Sequence, residues 1–189
     1  GRTRREKGIA HVPEDRHREG LVLDFFAWEN AIFGYHNAEE YQKSKWLMNN
    51  KAIRDECAAK MERFDVRPPI PSLTAKNFSG GNQQKIVLAR EMERDPDLLL
   101  VGQPTRGVDI GAIEFIHQQI VALRDRGKAV LLVSVELDEI MGLADRIVVM
   151  FDGQIMGERQ AGATDEKELG MLLAGITDPG IGVQMAQEG

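Results

Sequence analysis

The chain has 189 residues, 42% of them hydrophobic and 29% charged, the balance of a folded globular chain and not of a disordered one. Its 24 Lys and Arg stand against 30 Asp and Glu, a net charge of −6 that disfavours binding along a nucleic-acid backbone. A single cysteine, Cys57, excludes an intrachain disulfide and a cysteine-rich metal site, and the longest strongly apolar runs, Ala129–Val133 and Ile147–Phe151, fall far short of the roughly 20 residues of a membrane-spanning helix.

In chain order, the basic start Gly1-Arg2-Thr3-Arg4-Arg5 reads as a solvated end with no signal-like apolar stretch behind it. Gly8–Val12 reads as a strand ended by Pro13. From Ala27 to Phe64 the pattern predicts helices and no strands. The clearest runs from Asn50 to Phe64, with Ile53, Cys57, Met61 and Phe64 on one face, which makes Cys57 a core residue and not a reactive thiol. Pro68, Pro69 and Pro71 close this helical segment, 27–72.

Leu98–Val101, Ala129–Val133 and Ile147–Phe151 are continuous apolar runs without alternation, the pattern of strands covered on both faces in a parallel sheet. Between the first two lies a helix, Ala112–Arg126, with Ile113, Ile116, Ile120 and Leu123 at helical spacing and Gly127 as its stop. Leu137–Ala144, a shorter helix, separates the second run from the third. These are β-α-β units, for which right-handed crossovers are expected. Asp152-Gly153 predicts a hairpin turn pairing Ile147–Phe151 with Gln154–Glu158. Asp165–Ala174 reads as a helix with Thr164 near its cap, and 177–189 as a frayed tail. Arg94, Asp95, Arg124 and Arg126 read as solvated faces, and Asp138 and Glu139 as acids suited to the start of a helix. The four histidines, His11, His17, His36 and His117, show no ligand-type grouping with carboxylates, so no metal site is expected.

One motif carries chemistry. Ser79-Gly80-Gly81-Asn82-Gln83-Gln84-Lys85 opens a helix that continues through Ile86, Val87, Leu88 and Ala89. A hydroxyl, two glycines that let backbone approach closely, and the free N–H groups of a helix start together favour an anion such as phosphate. A capped helix after a tight turn would look the same. About twenty residues on come an apolar strand and Gly102-Gln103-Pro104-Thr105-Arg106-Gly107-Val108-Asp109.

With these residues together, the chain from about Gly8 to Glu158 resembles the ATP-binding cassette of ABC transporters. Ser79–Gln83 looks like the signature motif, Leu98–Gln103 falls where the Walker B strand should be, and Gly107-Val108-Asp109 where the D-loop should be. His11-Val12-Pro13-Glu14-Asp15-Arg16 with Gly20-Leu21 resembles the Q-loop region of the second cassette in two-cassette sugar and nucleoside importers. Gln103–Gly107 with Gly111–His117 looks most like the nucleoside-uptake branch. The resemblance implies an α/β fold with a parallel-sheet core and an inserted helical subdomain. Its division would be a core remnant with the Q-loop region at 1–26, the helical subdomain at 27–72, the signature motif and α/β core at 73–163, a helix at 164–176 and the tail. It also makes Trp28, in Trp28-Glu29-Asn30, a packing residue at the entry to the helical subdomain.

The chain departs from the family at its catalytic positions. No G-x-x-x-x-G-K-[ST] phosphate loop is present, since Gly127-Lys128 is followed by Ala129 and preceded by Ala122 at the upstream glycine position. That loop precedes the Q-loop in the family, so the expectation is a C-terminal fragment of a longer subunit. The Walker B Asp-Glu positions hold Gly102 and Gln103, the switch-histidine position holds Val135, and the Q-loop glutamine position holds Glu14. A neutral amide cannot act as a base, so hydrolysis at this chain's own site is expected to fail, and the chain alone is expected to be inactive.

The family mechanism reconciles a kept signature with a lost catalytic set. Cassettes pair head to tail, and each ATP lies between one cassette's phosphate loop and the other's signature. The resemblance then implies that Ser79, Gly80, Gly81, Asn82 and Gln83 contact ATP held by a partner cassette, with Asp109 supporting the dimer contact. It implies ATP and Mg²⁺ at the assembled interface and none for the chain alone. The implied partners are the N-terminal cassette of the same subunit, membrane permease subunits and, indirectly, an extracytoplasmic substrate-binding protein, with no nucleic acid. The implied place is the cytoplasmic face of the plasma membrane of a bacterial-type importer, with the exposed part of 27–72 receiving a coupling helix. A non-catalytic regulatory domain and a soluble, non-transport ABC ATPase are the alternatives; the kept Ser79-Gly80-Gly81 weighs against the first and the acidic charge against the second.

Overall fold

A computed structural model of the chain describes residues 2–44 and 46–176; the predicted tail, 177–189, lies outside the described residues. The chain divides into two compact units at Val133/Ser134. In order, the first unit contains α1 (Arg2–Glu6), β1 (Ile9–Val12), α2 (Ala27–Ala31), β2 (Gln42–Ser44), β3 (Leu47–Met48), α3 (Asn50–Arg63), α4 (Gly80–Met92), β4 (Leu98–Gly102), α5 (Ile110–Asp125) and β5 (Ala129–Val133). The second contains α6 (Leu137–Leu143), β6 (Arg146–Phe151), β7 (Gln154–Gln160) and α7 (Glu166–Leu173).

The core of the first unit is a three-stranded parallel sheet in the order β1-β4-β5. Ile9 lies opposite Leu98 and Val12 opposite Val101, and Leu98 through Gly102 lie opposite Ala129 through Val133. Ala10, Val12, Leu99 and Val101 are buried in the core. Strand β5 departs from the expectation of cover on both faces. It is an edge strand, and its Leu131 and Val133 are 56% and 59% exposed.

Helix α4 is buried almost along its whole length, with Val87 and Leu88 fully enclosed and the polar Gln84, Lys85, Arg90 and Glu91 enclosed beside them. A buried charge is tolerable only when paired and hydrogen-bonded. Arg90 donates from Nη1 to the carbonyls of Gly20 (2.8 Å) and Asn30 (3.3 Å), and from Nε to Glu91 (2.8 Å). Glu91 in turn accepts from the Tyr35 hydroxyl at 2.7 Å, and the Arg5 guanidinium lies 3.9 Å away. The basic N-terminus is therefore not simply solvated, since Arg5 also lies over the Tyr35 ring. Nor does Arg94 belong to a solvated face: it pairs with Glu40 and the Tyr41 hydroxyl and lies over the rings of Tyr35 and Tyr41. Aromatic faces that attract a cation explain the inward turn of both arginines.

The segment 27–72 is helical at its ends but not throughout. Between α2 and α3 lies a short antiparallel pair, β2 and β3, which corrects the expectation of helices alone. All its described strand residues are exposed, so it leaves no buried alternation to read from sequence. Helix α3 buries the expected face, Ile53, Cys57, Met61 and Phe64. Burial pushes the Cys57 thiol up to about 12, with Lys60 opposing and Glu56 adding to the shift. Native Cys57 is expected to resist alkylation at pH 8–9 and to react once urea unfolds the chain, as read by mass spectrometry. The unfolded thiol loses its proton near its ordinary value of 9 while the folded one keeps it. This group's contribution to stability is therefore complete below about pH 9 and is lost as pH rises towards 12.

In the second unit, β6 pairs with β7 in a two-stranded antiparallel sheet, and Phe151 lies opposite Gln154. The Ile147–Phe151 run is thus a hairpin arm and not a third parallel strand. Asp152 and Gly153 both adopt positive φ, +47° and +76°, as a tight two-residue hairpin turn requires. That turn brings neighbouring residues together at little entropic cost. Ile147 and Val149 pack with Leu169 and Leu172 of α7, and with Leu137, Ile140 and Met156 at the margin. Asp165 caps α7, and Thr164 donates from Oγ1 to Glu168. No helix among the described residues is long and apolar enough to cross a membrane.

Candidate functional site

Because β1 and β4 are parallel neighbours, the loops after their C-terminal ends emerge side by side, where open α/β sheets place their sites. The first loop carries Glu14, Asp15 and Arg16; the second runs from Gln103 to Asp109. The start of α4 meets them. Ser79 is its N-cap, exposed, with Oγ accepting from the Asn82 N–H (3.4 Å) and side-chain amide (2.9 Å). Asn82 Oδ1 accepts from the Arg67 N–H at 2.7 Å.

The two glycines are required by close packing. A Cβ at Gly80 would lie 2.8 Å from both the Arg16 guanidinium and the Gly107 carbonyl, and one at Gly81 would lie 2.9 Å from both Ala112 Cβ and Asp109 Oδ2. Asp109 caps α5, with Oδ1 accepting from the Ala112 N–H at 2.9 Å. Gln83 is buried beneath the loop, donating from Nε2 to the Ala75 carbonyl (3.0 Å) and offering Oε1 to His17 Nε2 at 2.7 Å. The open face thus presents Ser79, Gly80, Asn82 and Asp109, while Gly81 and Gln83 sit behind as its support.

Glu14 faces a cation and not an open cleft: Arg106 donates to its Oε1 at 2.6 Å. Both side chains are exposed, so this pair orients the loops more than it stabilises them. The backbone N–H of Arg18, helped by that of His17, holds the Asp15 carboxyl below its ordinary value. A Cβ at Gly102 would lie 3.3 Å from the Glu14 nitrogen, so glycine here lets the two loops close on each other. Gln103 has φ +47°, and its N–H donates to the Val133 carbonyl at 2.8 Å. Val135, in the second unit, is exposed and offers neither donor nor base. Lys128 pairs with Asp95 (3.0 Å) and Asp97 (3.3 Å), which leaves Gly127-Lys128 a helix stop with an ion pair. Among the described residues no three His, Cys, Asp or Glu side chains are grouped to hold a metal ion.

These residues fit phosphate on one side only. Ser79 and the first N–H groups of α4 supply donors, because the opening turn of a helix has no acceptors of its own. Gly102, Gln103 and Val135 supply neither a carboxylate for a metal shell nor a base. Sequence reasoning missed the part played by Arg16 and Arg106. Their contacts span some ninety residues, and no local spacing carries such a signal.

The architecture is that of an ABC ATPase cassette. It matches a nucleotide-free ATP-binding cassette from an ABC transporter with a TM-score of 0.67 at 23% identity, over 95% of this chain and 68% of that one. It matches a dimeric cassette in a post-hydrolysis state, bound to ADP and Pi, with a TM-score of 0.61 at 24% identity, over 81% and 62%. No family model matches the chain. By sequence, its homologues are the ATP-binding proteins of nucleoside and sugar importers. It is 49% identical over 170 residues to the nucleoside import ATP-binding protein NupA of Lactococcus lactis, covering 90% of this chain and 33% of that protein. It is 46% identical over 172 residues to the guanosine import ATP-binding protein NupO of Bacillus subtilis, covering 91% and 34%. With the glucose import ATP-binding protein TsgD13 of Haloferax volcanii the identity is 40% over 179 residues, covering 94% and 32%. The chain spans about a third of the length of the curated relatives it matches.

Proposed function

We propose that the chain is part of the ATP-binding subunit of an importer for nucleosides or simple sugars, and that it lends its signature face to ATP held by a partner cassette. The observation that carries this reading is a contrast within one chain. Ser79 stands exposed at the start of α4, buttressed by Gly80 and Gly81 against the 107–112 segment, while Gly102, Gln103 and Val135 offer no acid, base or imidazole. Losing a general base typically costs a factor of about 10²–10⁴, so hydrolysis belongs to the partner's site.

In this reading Ser79 and the amide of Gly80 orient the terminal phosphate, with Asn82 holding the Ser79 hydroxyl and Gly81 and Gln83 bracing the loop from behind. Asp109 fixes the start of α5 at the contact with the partner. MgATP, when bound there, supplies the phosphoanhydride bond whose cleavage drives uptake. The chain would act at the cytoplasmic face of the membrane, beside permease subunits fed by an extracytoplasmic binding protein.

Ser79→Arg tests the reading. Introduced into the full-length two-cassette subunit, it is expected to lower ATP hydrolysis by at least about tenfold, since a bulky cation replaces the hydroxyl at the phosphate. Undiminished hydrolysis with the partner cassette present would overturn the reading.

A further inference from the structure

The half-buried guanidinium of Arg16 is the point at which three separate segments of the site meet. Its Nη1 donates to the Arg106 carbonyl at 2.7 Å and its Nη2 to the Gly107 carbonyl at 3.2 Å. The same Nη2 fills the space that a side chain at position 80 would need, 2.8 Å from where its Cβ would lie. Gly107 adopts φ +65°, a turn that aims its carbonyl at both Arg16 and Gly80. Nε is buried without a hydrogen-bond partner among the described residues, so the fork is oriented by its hydrogen bonds to the two carbonyls. At the base of the side chain, Asp15 caps the turn Arg16–Gly20, accepting from the N–H groups of His17 and Arg18 at 3.0 Å each. Arg106 returns the contact by donating to Glu14.

We infer that Arg16 is a positioning residue of the signature face: bridging two successive carbonyls of the 103–109 loop while packed on Gly80, it sets the spacing between Ser79 and Asp109. The inference rests on the signature-donating reading above and adds to it a residue that lies outside the signature motif. A planar fork with several fixed donors can hold two adjacent carbonyls at once, whereas an ammonium is a compact point charge that cannot span them in one fixed geometry. The hydrogen bonds of the Arg16 guanidinium go to protein carbonyls. Its loss should therefore loosen the geometry of the catalytic complex without removing a nucleotide contact.

The test uses Arg16→Ala and Arg16→Lys in the full-length subunit, with Ser79→Arg in parallel. Arg16→Ala is expected to lower kcat for ATP hydrolysis by about tenfold or more, the scale on which ångström displacements act, with KM for ATP within about twofold and the thermal midpoint of the wild type. Millimolar guanidinium is expected to restore part of the lost kcat in Arg16→Ala and none in Ser79→Arg. Arg16→Lys, which keeps the charge and the stem, is expected to fold and still to fall short of the wild-type kcat; it carries the test should the alanine variant not fold. Wild-type kcat in either folded Arg16 variant, or a raised KM with kcat unchanged, overturns the inference. If Ser79→Arg is inactive while the Arg16 variants are fully active, only the role of Arg16 fails. If Ser79→Arg is fully active, the signature reading itself fails.

Discussion

Replacing Arg90 by leucine is expected to destabilise the chain by about 3–5 kcal/mol, the usual consequence of removing one partner of a buried ion pair. The reason is the group left behind. The Glu91 side chain is fully buried, the Arg90 side chain is 3% exposed, and their contact is 2.8 Å. Arg5, the other cation near Glu91, stands 3.9 Å away at the end of a partly exposed side chain, a poor substitute. Leucine would also strip the donors from the carbonyls of Gly20 and Asn30, which tie the end of the Arg16–Gly20 turn and α2 to α4. Urea unfolding followed by the fluorescence of Trp28 and Trp46 measures the loss. The double variant Arg90→Leu/Glu91→Leu is expected to recover part of it, because an apolar pair leaves no charge unsolvated. A midpoint unchanged in Arg90→Leu would mean that Arg5 and Tyr35 suffice for Glu91.

If the chain lends its signature face to a partner cassette, as proposed, Gly81→Val is expected to lower ATP hydrolysis of the two-cassette subunit by about 10²-fold, with a smaller effect on folding. The added Cβ would meet Ala112 Cβ and Asp109 Oδ2, both at 2.9 Å. The first is fixed to the backbone of α5, and the second belongs to the carboxylate whose other oxygen caps that helix at 2.9 Å. Neither is the far end of a long flexible chain, so relief must come from moving the start of α4 away from Asp109. That motion separates Ser79 from the loop it faces. Steady-state hydrolysis in the two-cassette protein is the measurement, and near-normal kcat would show that the 107–112 segment gives way harmlessly.

Much of the site was legible because its signals are local. Ser79-Gly80-Gly81 announces a capped helix start with room for close approach, and Asp109 precedes the apolar spacing of α5 as a cap should. The α3 face and the Asp152-Gly153 turn follow from periodicity and from turn chemistry in the same way. What escaped was non-local. Arg94 reads as a surface charge until Tyr35, Tyr41 and Glu40 surround it, and Gln83 reads as an outward ligand until Ala75 and His17 take its amide. A continuous apolar run marks a strand but not its cover, so Ala129–Val133 became an exposed edge, while the Asp152-Gly153 turn had already paired Ile147–Phe151 with the strand that follows it.

By itself, then, the amino-acid sequence determined the α/β class, most of the strand and helix segments, the Ser79-Gly80-Gly81 helix start, and that Gly102, Gln103 and Val135 carry no acid, base or imidazole. Each of these depends on residues close together in the chain, where spacing and side-chain chemistry are sufficient. The tertiary structure decided which of the motif's residues stay open. It also showed that Gly80 and Gly81 are demanded by Arg16, Gly107, Asp109 and Ala112, and that Glu14 is held by Arg106. Those contacts form only once β1 and β4 lie parallel and bring their following loops together, a pairing across some ninety residues that no local pattern encodes.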